Sequence, residues 1–550
     1  MRAHLPLIVA VVVFSSGGSR ATVLYTLVSP NEENTGRFGT EVSGAGDINN
    51  DDRADVIVGA PSESPGVSPI GAGRAYVFSG ASGSVIYALQ SPNEEAYGGF
   101  GESVSGAGDV NNDEYNDLIV GASQEEPGSV LENWGRAYIF SGSTGGLLRT
   151  LESPNPFDEG RFGGCVSDAG DLNNDGYAEV VVGAPGEANH GRAYIFNGQT
   201  GSVMYTLDTP NPELDGMFGC SVSCAGDVNN DDHPDVIVGA HNEDPDASPT
   251  DAGRAYVFSG ANGSLLYSLQ SPNEQYEGWF GVSVSGAGNV DGNNFDDIIV
   301  GACREGLGDQ TEMGRAYIFA GLAGVLLRTL ESPNLDPYGW FGGSVSGAGD
   351  VNANGRDDVI VGASLDDPSG IPTDAGRAYV FSGSSGYLLQ TLVSPNQEAG
   401  GVFGNSVSGA GDQDGDGRAE VIVGAPGEDP GASPDYAGRA YVIVPTPRLA
   451  IEGVISGSEF QLTWSPWEGA TSYWVCGADN LPHFQPGVGL PYPYRVAIVP
   501  AGTTTWSSSQ GVFNPDHNWT YLVMAIHSFP EEELTRSDRC GEFDFTYQVP

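Results

Sequence analysis

The dipeptide Phe-Gly recurs seven times along this 550-residue chain at an almost constant interval. The copies begin at Phe38, Phe100, Phe162, Phe218, Phe280, Phe341 and Phe403, with successive spacings of 62, 62, 56, 62, 61 and 62 residues. A fixed period of this kind is typical of repeat architectures, in which each unit buries its apolar face against the next one. The repeat therefore constrains the fold of most of the chain.

Each unit carries four short β-branched or aromatic runs bounded by Gly, Pro, Asn or Ser, a pattern typical of strands. In the first unit these runs are residues 38–46, 56–60, 73–78 and 85–89, and an acidic loop starting at Asp47 separates the first two. The Val-Ile-Val run lacks polar alternation, which predicts a strand buried on both faces. Four strands per unit at this period predict the blades of an all-β propeller.

The two ends of the repeat region complement each other. The seventh unit reaches residue 445 without a fourth strand, whereas residues 23–27, ahead of the first Phe-Gly, match the missing strand. Pairing them would leave no unpaired edge inside the ring. We therefore predict a seven-bladed β-propeller over residues 22–445, closed by the N-terminal strand.

The ordered set of Phe-Gly, acidic loop, Val-Gly-Ala and Gly-Arg-Ala-Tyr-x-Phe resembles the FG-GAP repeats of the integrin α-subunit propeller and its bacterial relatives. The resemblance covers residues 22 to 445. It implies that the acidic hairpin loop of each blade binds Ca²⁺ and that ligands are recognised on the opposite face. The resemblance does not identify any particular ligand-contact residue in this chain.

The acidic loops also have the spacing of a calcium site when read from the residues, because alternate oxygen ligands in a tight turn can point at one centre. Position 1 is Asp47, Asp109, Asp171, Asp227, Asn289, Asp350 or Asp412. Position 3 is Asn49, Asn111, Asn173, Asn229, Asp291, Asn352 or Asp414. Position 5 is Asp51, Asp113, Asp175, Asp231, Asn293, Asn354 or Asp416. The position 7 carbonyl belongs to Arg53, Tyr115, Tyr177, His233, Phe295, Arg356 or Arg418. Position 9 is Asp55, Asp117, Glu179, Asp235, Asp297, Asp358 or Glu420.

Asp and Asn also favour turns that bind no metal, but seven loops in register favour the metal interpretation. We expect up to seven structural Ca²⁺ ions without a catalytic role. The seventh loop has four carboxylates and Gly417 at the sharp turn, so it should bind most tightly. The fifth and sixth loops have two each and should be weakest. Glu114 occupies the turn position of the second loop, where a residue tolerating positive φ would fit better.

Composition excludes several partners and mechanisms. The formal charge is −51, and all 21 basic residues are Arg. The absence of Lys removes Schiff-base and Walker-type chemistry, and so acidic a surface repels nucleic acid. Residues 1–21 carry Arg2, an apolar stretch and the small residues Ser19 and Ala21 on either side of Arg20, which predicts a secretory signal. No later segment is long and apolar enough for a membrane anchor, so we expect a secreted or cell-surface protein.

The loops joining strands two to three and four to one should lie opposite the acidic loops. They vary between units and hold the ligand-face candidates Trp279, Trp340, Tyr276, Tyr338 and Trp134. Trp279 and Trp340 occupy equivalent positions before Phe-Gly, and they either offer a paired aromatic platform or pack against their own loops. The Arg of Gly-Arg-Ala-Tyr recurs in all seven units, which favours a structural partner for acidic groups.

Residues 446–450 form a predicted linker, and residues 451–550 a predicted small β-sandwich. Its alternating segments resemble a fibronectin type III domain, although the Pro/Gly-rich stretch 479–493 is longer than the usual connection of that family. Cys476 and Cys540 could form a disulfide in an exported protein. Asn518 begins a glycosylation sequon that matters only in a host that glycosylates such sites.

The sequence thus predicts a secreted or surface calcium-binding propeller for adhesion or recognition of an extracellular protein or glycan, and no enzyme. Its oligomeric state is open. One alternative is a secreted carbohydrate-active hydrolase or lyase that uses the propeller as a platform, which would require clustered acidic or His groups on the variable face. Another is a structural component of the cell envelope.

Overall fold

The computed structural model divides the chain into two compact units, Ala21–Thr446 and Met1–Arg20 with Pro447–Pro550. In the first unit it describes residues 21–64, 66, 68–126, 132–244, 249–306, 312–334, 336–367, 372–429 and 434–445. In the second it describes the backbone of the strands at 8–14, 451–456, 459–464, 472–479, 494–500, 505–508 and 519–526. The predicted linker lies outside the described residues.

The first unit contains seven four-stranded antiparallel sheets, which confirms the predicted seven-bladed β-propeller. Blade 1 comprises Val42–Gly46, Asp55–Ala60, Arg74–Phe78 and Val85–Gln90. Blade 2 comprises Val104–Gly108, Asp117–Ala122, Arg136–Phe140 and Leu147–Leu151. Blade 3 comprises Cys165–Gly170, Glu179–Ala184, Arg192–Phe196 and Val203–Leu207. Blade 4 comprises Ser221–Gly226, Asp235–Ala240, Arg254–Phe258 and Leu265–Gln270.

Blade 5 comprises Phe280–Gly288, Asp297–Ala302, Arg315–Phe319 and Leu326–Glu331. Blade 6 comprises Phe341–Gly349, Asp358–Ala363, Arg377–Phe381 and Leu388–Leu392. Blade 7 takes its inner three strands, Val407–Gly411, Glu420–Ala425 and Arg439–Val444, from the end of the repeat region. In each blade, strand one is innermost and strand four is outermost.

The outer strand of blade 7 is Thr22–Leu27, from the start of the unit. It runs antiparallel to Arg439–Val444, with Thr22 opposite Val444 and Leu27 opposite Ala440. The ring is therefore closed by the N-terminal strand, as predicted, and the paired segment is one residue longer than expected. Closure gives the third strand of blade 7 an outer partner strand, as the third strand of every other blade has.

The Phe-Gly dipeptide fastens each blade to the preceding one. Phe38 donates its backbone N–H to Ala437 O of the preceding blade at 2.9 Å, and Gly39 donates to Gly59 O of its own blade at 2.9 Å. The seven Phe-Gly glycines have φ between 85° and 89°. A Cβ on Gly39 would also overlap the carbonyl oxygen of Arg439. Glycine is required here by both the backbone conformation and the close approach of the neighbouring chain.

The core lies between neighbouring blades. The second strand of every blade is buried along its whole length, as its unbroken apolar run predicted. At the junction of blades 7 and 1, the ring of Phe38 lies 5.8 Å from the rings of Tyr76 and Phe78, beside Ile422 and Val442. Burying one such side chain contributes about 1.5–3 kcal/mol, so each junction is held mainly by its apolar cluster.

The second unit contains a four-stranded sheet and a three-stranded sheet. The first sheet includes Ile8–Phe14, which pairs in parallel with Trp519–Ile526, and Ser472–Asp479 and Tyr494–Pro500. The second contains Ile451–Ser456, Glu459–Trp464 and Thr505–Ser508. These strands cover the alternating segments found in the sequence, whereas the fibronectin type III-like sandwich and the signal segment stay predictions. Cys540 and Asn518 lie outside the described residues.

Candidate functional site

The strand order places two kinds of loop on opposite faces of the ring. The acidic loops, between strands one and two, share a face with the hairpins between strands three and four, and Gly80 of one such hairpin donates to Asp55 Oδ1 at 2.8 Å. We call this the acidic face. The loops between strands two and three, and those leading to the next Phe-Gly, form the variable face.

The position 1 carboxylate organises the acidic loop. Asp47 Oδ1 accepts the backbone N–H of Asp51 at 3.1 Å, and Oδ2 accepts that of Asp52 at 2.9 Å. The equivalent bonds recur in loops 2, 3, 4, 6 and 7. Loop 5 has Asn289 instead, which accepts from Gly292 N at 2.5 Å. The position 1 carboxylate thus fixes the turn in six of the loops. In loop 5 the Asn289 side chain forms a different hydrogen bond within the turn.

Position 6 has a left-handed backbone in all seven loops, with φ between 65° and 88°. The residues are Asp52, Glu114, Gly176, Asp232, Asn294, Gly355 and Gly417. Glu114 adopts φ 72°, so loop 2 keeps the common turn despite a residue that disfavours it. The conformation is strained for Glu and unstrained for Gly.

Position 9 has a role that the spacing did not reveal. Asp55 is completely buried and accepts from Ile48 N, from the Asn49 side-chain amide and from Gly80 N. Burial, with the neighbouring loop carboxylates adding to it, raises the pKa of Asp55 to about 6. The carboxylate therefore ties the acidic loop to the hairpin beside it, in addition to any ligand role.

Loop 7 brings three carboxylates together. One oxygen each from Asp412, Asp414 and Glu420 lie within 4.8 Å of one another. In loops such as loop 1 the third position is Asn, whose amide nitrogen donates to the position 9 carboxylate. Asp414 cannot make that bond, so negative charge accumulates. Among the described residues, this is the one group of three such side chains close enough to share a cation.

Neighbouring acidic loops are hydrogen-bonded to each other. At four of the junctions the residue at position 8 donates its N–H to the position 1 carbonyl of the preceding loop, as Ala178 does to Asp109 at 2.9 Å and Asp296 does to Asp227 at 3.1 Å. Asp296 also accepts the Asp227 N–H on its carboxylate at 2.9 Å. A change in the shape of one loop therefore acts directly on the next.

A second set of carboxylates, missed by sequence reasoning, lies buried under the variable face. These residues are Glu63, Glu125, Glu187, Glu243, Glu305, Asp366 and Glu428, each three positions after the Ala of Val-Gly-Ala. Each accepts a hydrogen bond from the Tyr hydroxyl of Gly-Arg-Ala-Tyr. Arg136 lies 3.6 Å from Glu125, and Arg315 lies 3.5 Å from Glu305. The repeated Tyr therefore donates a hydrogen bond to each buried acid, and the repeated Arg places a positive charge beside Glu125 and Glu305.

Comparison with known proteins agrees with this repeat geometry. The FG-GAP repeat family matches residues 38–78, 100–131, 221–258, 341–381 and 403–443, and the FG-GAP-like repeat matches 171–238. The chain is 28% identical to integrin alpha-4 of Xenopus laevis over 46% of its own length and 24% of that relative. It is 37% identical to integrin alpha-IIb of Mus musculus over 26% of its length and 15% of that relative. The first unit is an integrin-like FG-GAP propeller. The chain matches about a quarter or less of the length of these relatives, and the matches indicate no catalytic family.

The variable face of the FG-GAP propeller exposes large apolar side chains. Tyr97, Leu214, Tyr276 and Tyr338 are 66%, 77%, 67% and 53% exposed. Of the five ligand-face candidates, Tyr276 and Tyr338 are therefore open to solvent, whereas Trp134, Trp279 and Trp340 are half-buried. Solvent-exposed aromatic side chains concentrated on one face are typical of an interaction surface.

Trp279 packs against its neighbours on this face of the FG-GAP propeller. The guanidinium of Arg304 lies 4.4 Å from the centre of its ring and is held by Glu277 at 3.2 Å and Glu312 at 3.1 Å. The His241 ring meets Trp279 edge-on at 5.3 Å, and His241 Nδ1 lies 3.0 Å from Cys220 Sγ. One face of the Trp279 ring is therefore covered, which favours the packing interpretation over the platform with Trp340.

The inner strands of the FG-GAP propeller line a central cavity of about 240 Å³. Ser43, Ser105 and Ser408 contribute to its wall, and Asp168 enters it where the first two blades have Gly44 and Gly106.

Cys165, Cys220, Cys224 and Cys303 are unpaired thiols in the structure. None of the described helices is long and apolar enough to span a membrane.

Proposed function

We propose that this FG-GAP propeller acts in adhesion or recognition outside the cell, with a protein or glycan ligand bound on the variable face and Ca²⁺ bound on the acidic face. The difference between the two faces carries the proposal. One face repeats the same oxygen-rich loop in every blade, whereas the other varies its loops and exposes Tyr97, Tyr276 and Tyr338. Variable loops on a repeated scaffold are where binding usually resides.

The donor set of the acidic loops fits calcium. Carboxylate, amide and carbonyl oxygens at alternating positions are the hard ligands that Ca²⁺ prefers. Asp412, Asp414 and Glu420 would hold the ion in loop 7, together with Asp416 and the carbonyl of Arg418, and the ion would neutralise their mutual repulsion. We assign the same role, up to seven times, to positions 1, 3, 5, 7 and 9 of the other loops, with loop 7 tightest and loops 5 and 6 weakest.

A bound cation would stabilise the ring through the loop contacts already described. Because position 8 bonds to position 1 of the preceding loop at four junctions, ordering one loop restrains its neighbour there. Binding only to the folded state raises stability in proportion to the logarithm of free calcium over Kd. Calcium titration by calorimetry, with the Asp412→Asn and Asp414→Asn variants compared with Asp208→Asn on an exposed site, tests this role. Absence of binding heat in the parent protein would contradict it.

The ligand face is tested with matched tyrosines. Tyr276→Ser and Tyr338→Ser alter the variable face, whereas Tyr387→Ser alters an equally exposed tyrosine, 60% accessible, on a hairpin of the acidic face. Binding of the full chain to immobilised matrix proteins and to a glycan array is measured in calcium and in chelator. We expect the first two variants to weaken binding at least fivefold and the third to leave it unchanged. Equal losses for all three would contradict the assignment of the face.

Export is part of the same proposal. It is supported by the signal-like residues 1–21, the strongly acidic composition and the similarity to integrin alpha subunits. Expression of the full chain followed by amino-terminal sequencing of the secreted product tests it. We expect a product that begins near Thr22, and retention of uncleaved chain inside the cell would contradict it.

A further inference from the structure

In loops 1, 4 and 6 the side chain at position 7 extends towards position 4 of the preceding loop. His233 of loop 4 donates from Nδ1 to Leu172 O of loop 3 at 2.6 Å, and the same nitrogen lies 3.4 Å from the Asn174 side-chain amide. Arg356 of loop 6 covers Gly292 of loop 5, where an added Cβ would overlap its guanidinium. Arg53 of loop 1 covers Gly415 of loop 7 in the same way.

The residue types at the two positions vary together around the ring. Where position 7 is Arg53, Arg356 or Arg418, position 4 of the preceding loop is small. These partners are Gly415, Gly292 and Ala353. Where position 7 is Tyr115, Tyr177, His233 or Phe295, position 4 is Asn50, Asn112, Asn174 or Asn230. The small residue leaves room for a guanidinium, whereas Asn tolerates the left-handed conformation of this position beside a ring.

The covering arginines bring positive charge to the mouth of a cation-binding loop. Position 4 lies between the ligands at positions 3 and 5, so Arg53 stands over the loop that contains Asp414. The guanidinium charge of Arg53 or Arg356 acts on the loop that it covers and repels a cation bound there.

We propose that the position 7 side chain of each blade sets the cation affinity of the preceding loop, with Arg53 and Arg356 weakening loops 7 and 5 and the rings of Tyr115, Tyr177 and Phe295 leaving loops 1, 2 and 4 unweakened. The inference rests on the proposed calcium role. In a solvent-screened site, the repulsion between one guanidinium and a divalent ion corresponds to about a three- to tenfold change in Kd. Loop 7 offsets this repulsion with its extra carboxylate, and loop 5 does not.

Loop 7 has a built-in reporter for the test. Burial raises the pKa of Tyr25 in the closing strand, and the charges of Asp414 and Glu420 add to this effect, so its phenol is within electrostatic range of loop 7 and can sensitise the luminescence of Tb³⁺ bound there. The full chain is titrated with Tb³⁺, and the emission lost in Asp414→Asn defines the loop 7 signal. Arg53→Gln removes the charge, and Arg161→Gln removes one from an exposed position before Phe162 on the variable face as a matched control.

We expect Arg53→Gln to lower the Tb³⁺ midpoint of loop 7 about three- to tenfold and Arg161→Gln to leave it within about twofold of the parent. The double variant Arg53→Tyr with Gly415→Asn transplants the pair found at Tyr115 and Asn50, so it preserves the packing, and it should lower the midpoint by a similar factor. Calcium competition should give the same order.

The outcomes separate the two proposals. If no loop binds Tb³⁺ or Ca²⁺, the proposed calcium role fails. If the loops bind but neither Arg53→Gln nor the double variant shifts the loop 7 midpoint, the inference on the covering arginines is overturned and the calcium role stands. An equal shift in Arg161→Gln, or no loop 7 signal while other loops bind, also overturns the inference.

Discussion

Tyr76 donates its hydroxyl to Oε2 of Glu63 at 2.5 Å, and both side chains are closed to solvent, at 1% and 0% exposure. Tyr76 belongs to the third strand of blade 1, and Glu63 to the loop that precedes it on the variable face. The pair anchors the start of a variable loop to the rigid blade. The same pairing in every blade lets the outer part of each loop vary while its base stays fixed.

Removing the hydroxyl from one of these pairs should destabilise the propeller. Tyr76→Phe leaves a buried carboxyl without its donor, and such a loss lowers the free energy of unfolding by about 1–3 kcal/mol. Tyr387→Phe removes an exposed hydroxyl and is the control. Denaturant unfolding followed by tryptophan fluorescence measures both. An unchanged midpoint for Tyr76→Phe would show that Glu63 is satisfied in another way.

The buried acids also predict the pH dependence of stability in chelator. Burial, the largest cause, raises the pKa of Glu63, Glu243 and Glu428 from 4.5 to about 7. Between these values the folded state binds more protons than the unfolded state, so the free energy of unfolding falls as pH rises. We expect a loss on the order of a few kcal/mol between pH 5 and pH 8. Thermal unfolding in chelator across this range measures it, and a melting temperature that rises with pH would contradict it.

The sequence predicted the features that depend on local pattern. The Phe-Gly period predicted the blades, residues 23–27 predicted ring closure, and the Val-Ile-Val run predicted a fully buried strand. Other features depend on contacts between residues far apart in the chain. The spacing of Asp55 could not show that Gly80, on another hairpin, donates to its carboxylate, nor could the Trp279 position show that Arg304 covers its ring. A recurring acid three residues after Val-Gly-Ala was visible in the sequence, but its Tyr partner follows only from the fold.

Ring closure can be tested on two adjacent residues. Leu27 is 2% exposed in the closing strand, whereas Val28 is 37% exposed. Leu27→Ala opens a cavity against blades 7 and 1 and should lower the free energy of unfolding by about 2–5 kcal/mol. Val28→Ala should change it by less than about 0.5 kcal/mol. Denaturant unfolding of both variants checks the difference, and equal effects would show that the N-terminal strand contributes little to closure.

The Phe-Gly glycine is tested against a second glycine of similar φ. Gly404 has φ 89°, and an added Cβ would overlap Arg377 O, whereas Gly355 has φ 78° with nothing within 4 Å. In chelator, Gly355→Ala should lower the free energy of unfolding by only about 1 kcal/mol, from the left-handed backbone alone. Gly404→Ala adds the clash, so it should lower the free energy of unfolding by several kcal/mol more than Gly355→Ala does, or prevent folding. Comparable stability of the two variants would mean that the blades can separate at the Phe-Gly contact.

Loop 5 offers a gain-of-function test of the position 1 carboxylate. Asn289 replaces the Asp that accepts two backbone N–H groups in the other loops, and its side chain accepts from Gly292 instead. Asn289→Asp should restore the common turn and add a charged ligand, so calcium affinity of this loop should rise by about tenfold or more. Calorimetric titration should then show one additional or tighter site, with Asn34→Asp, an exposed change of the same type, as the control. If both variants bind calcium as the parent does, the arginine over Gly292 or the altered turn, and not the missing carboxylate, sets the affinity of loop 5.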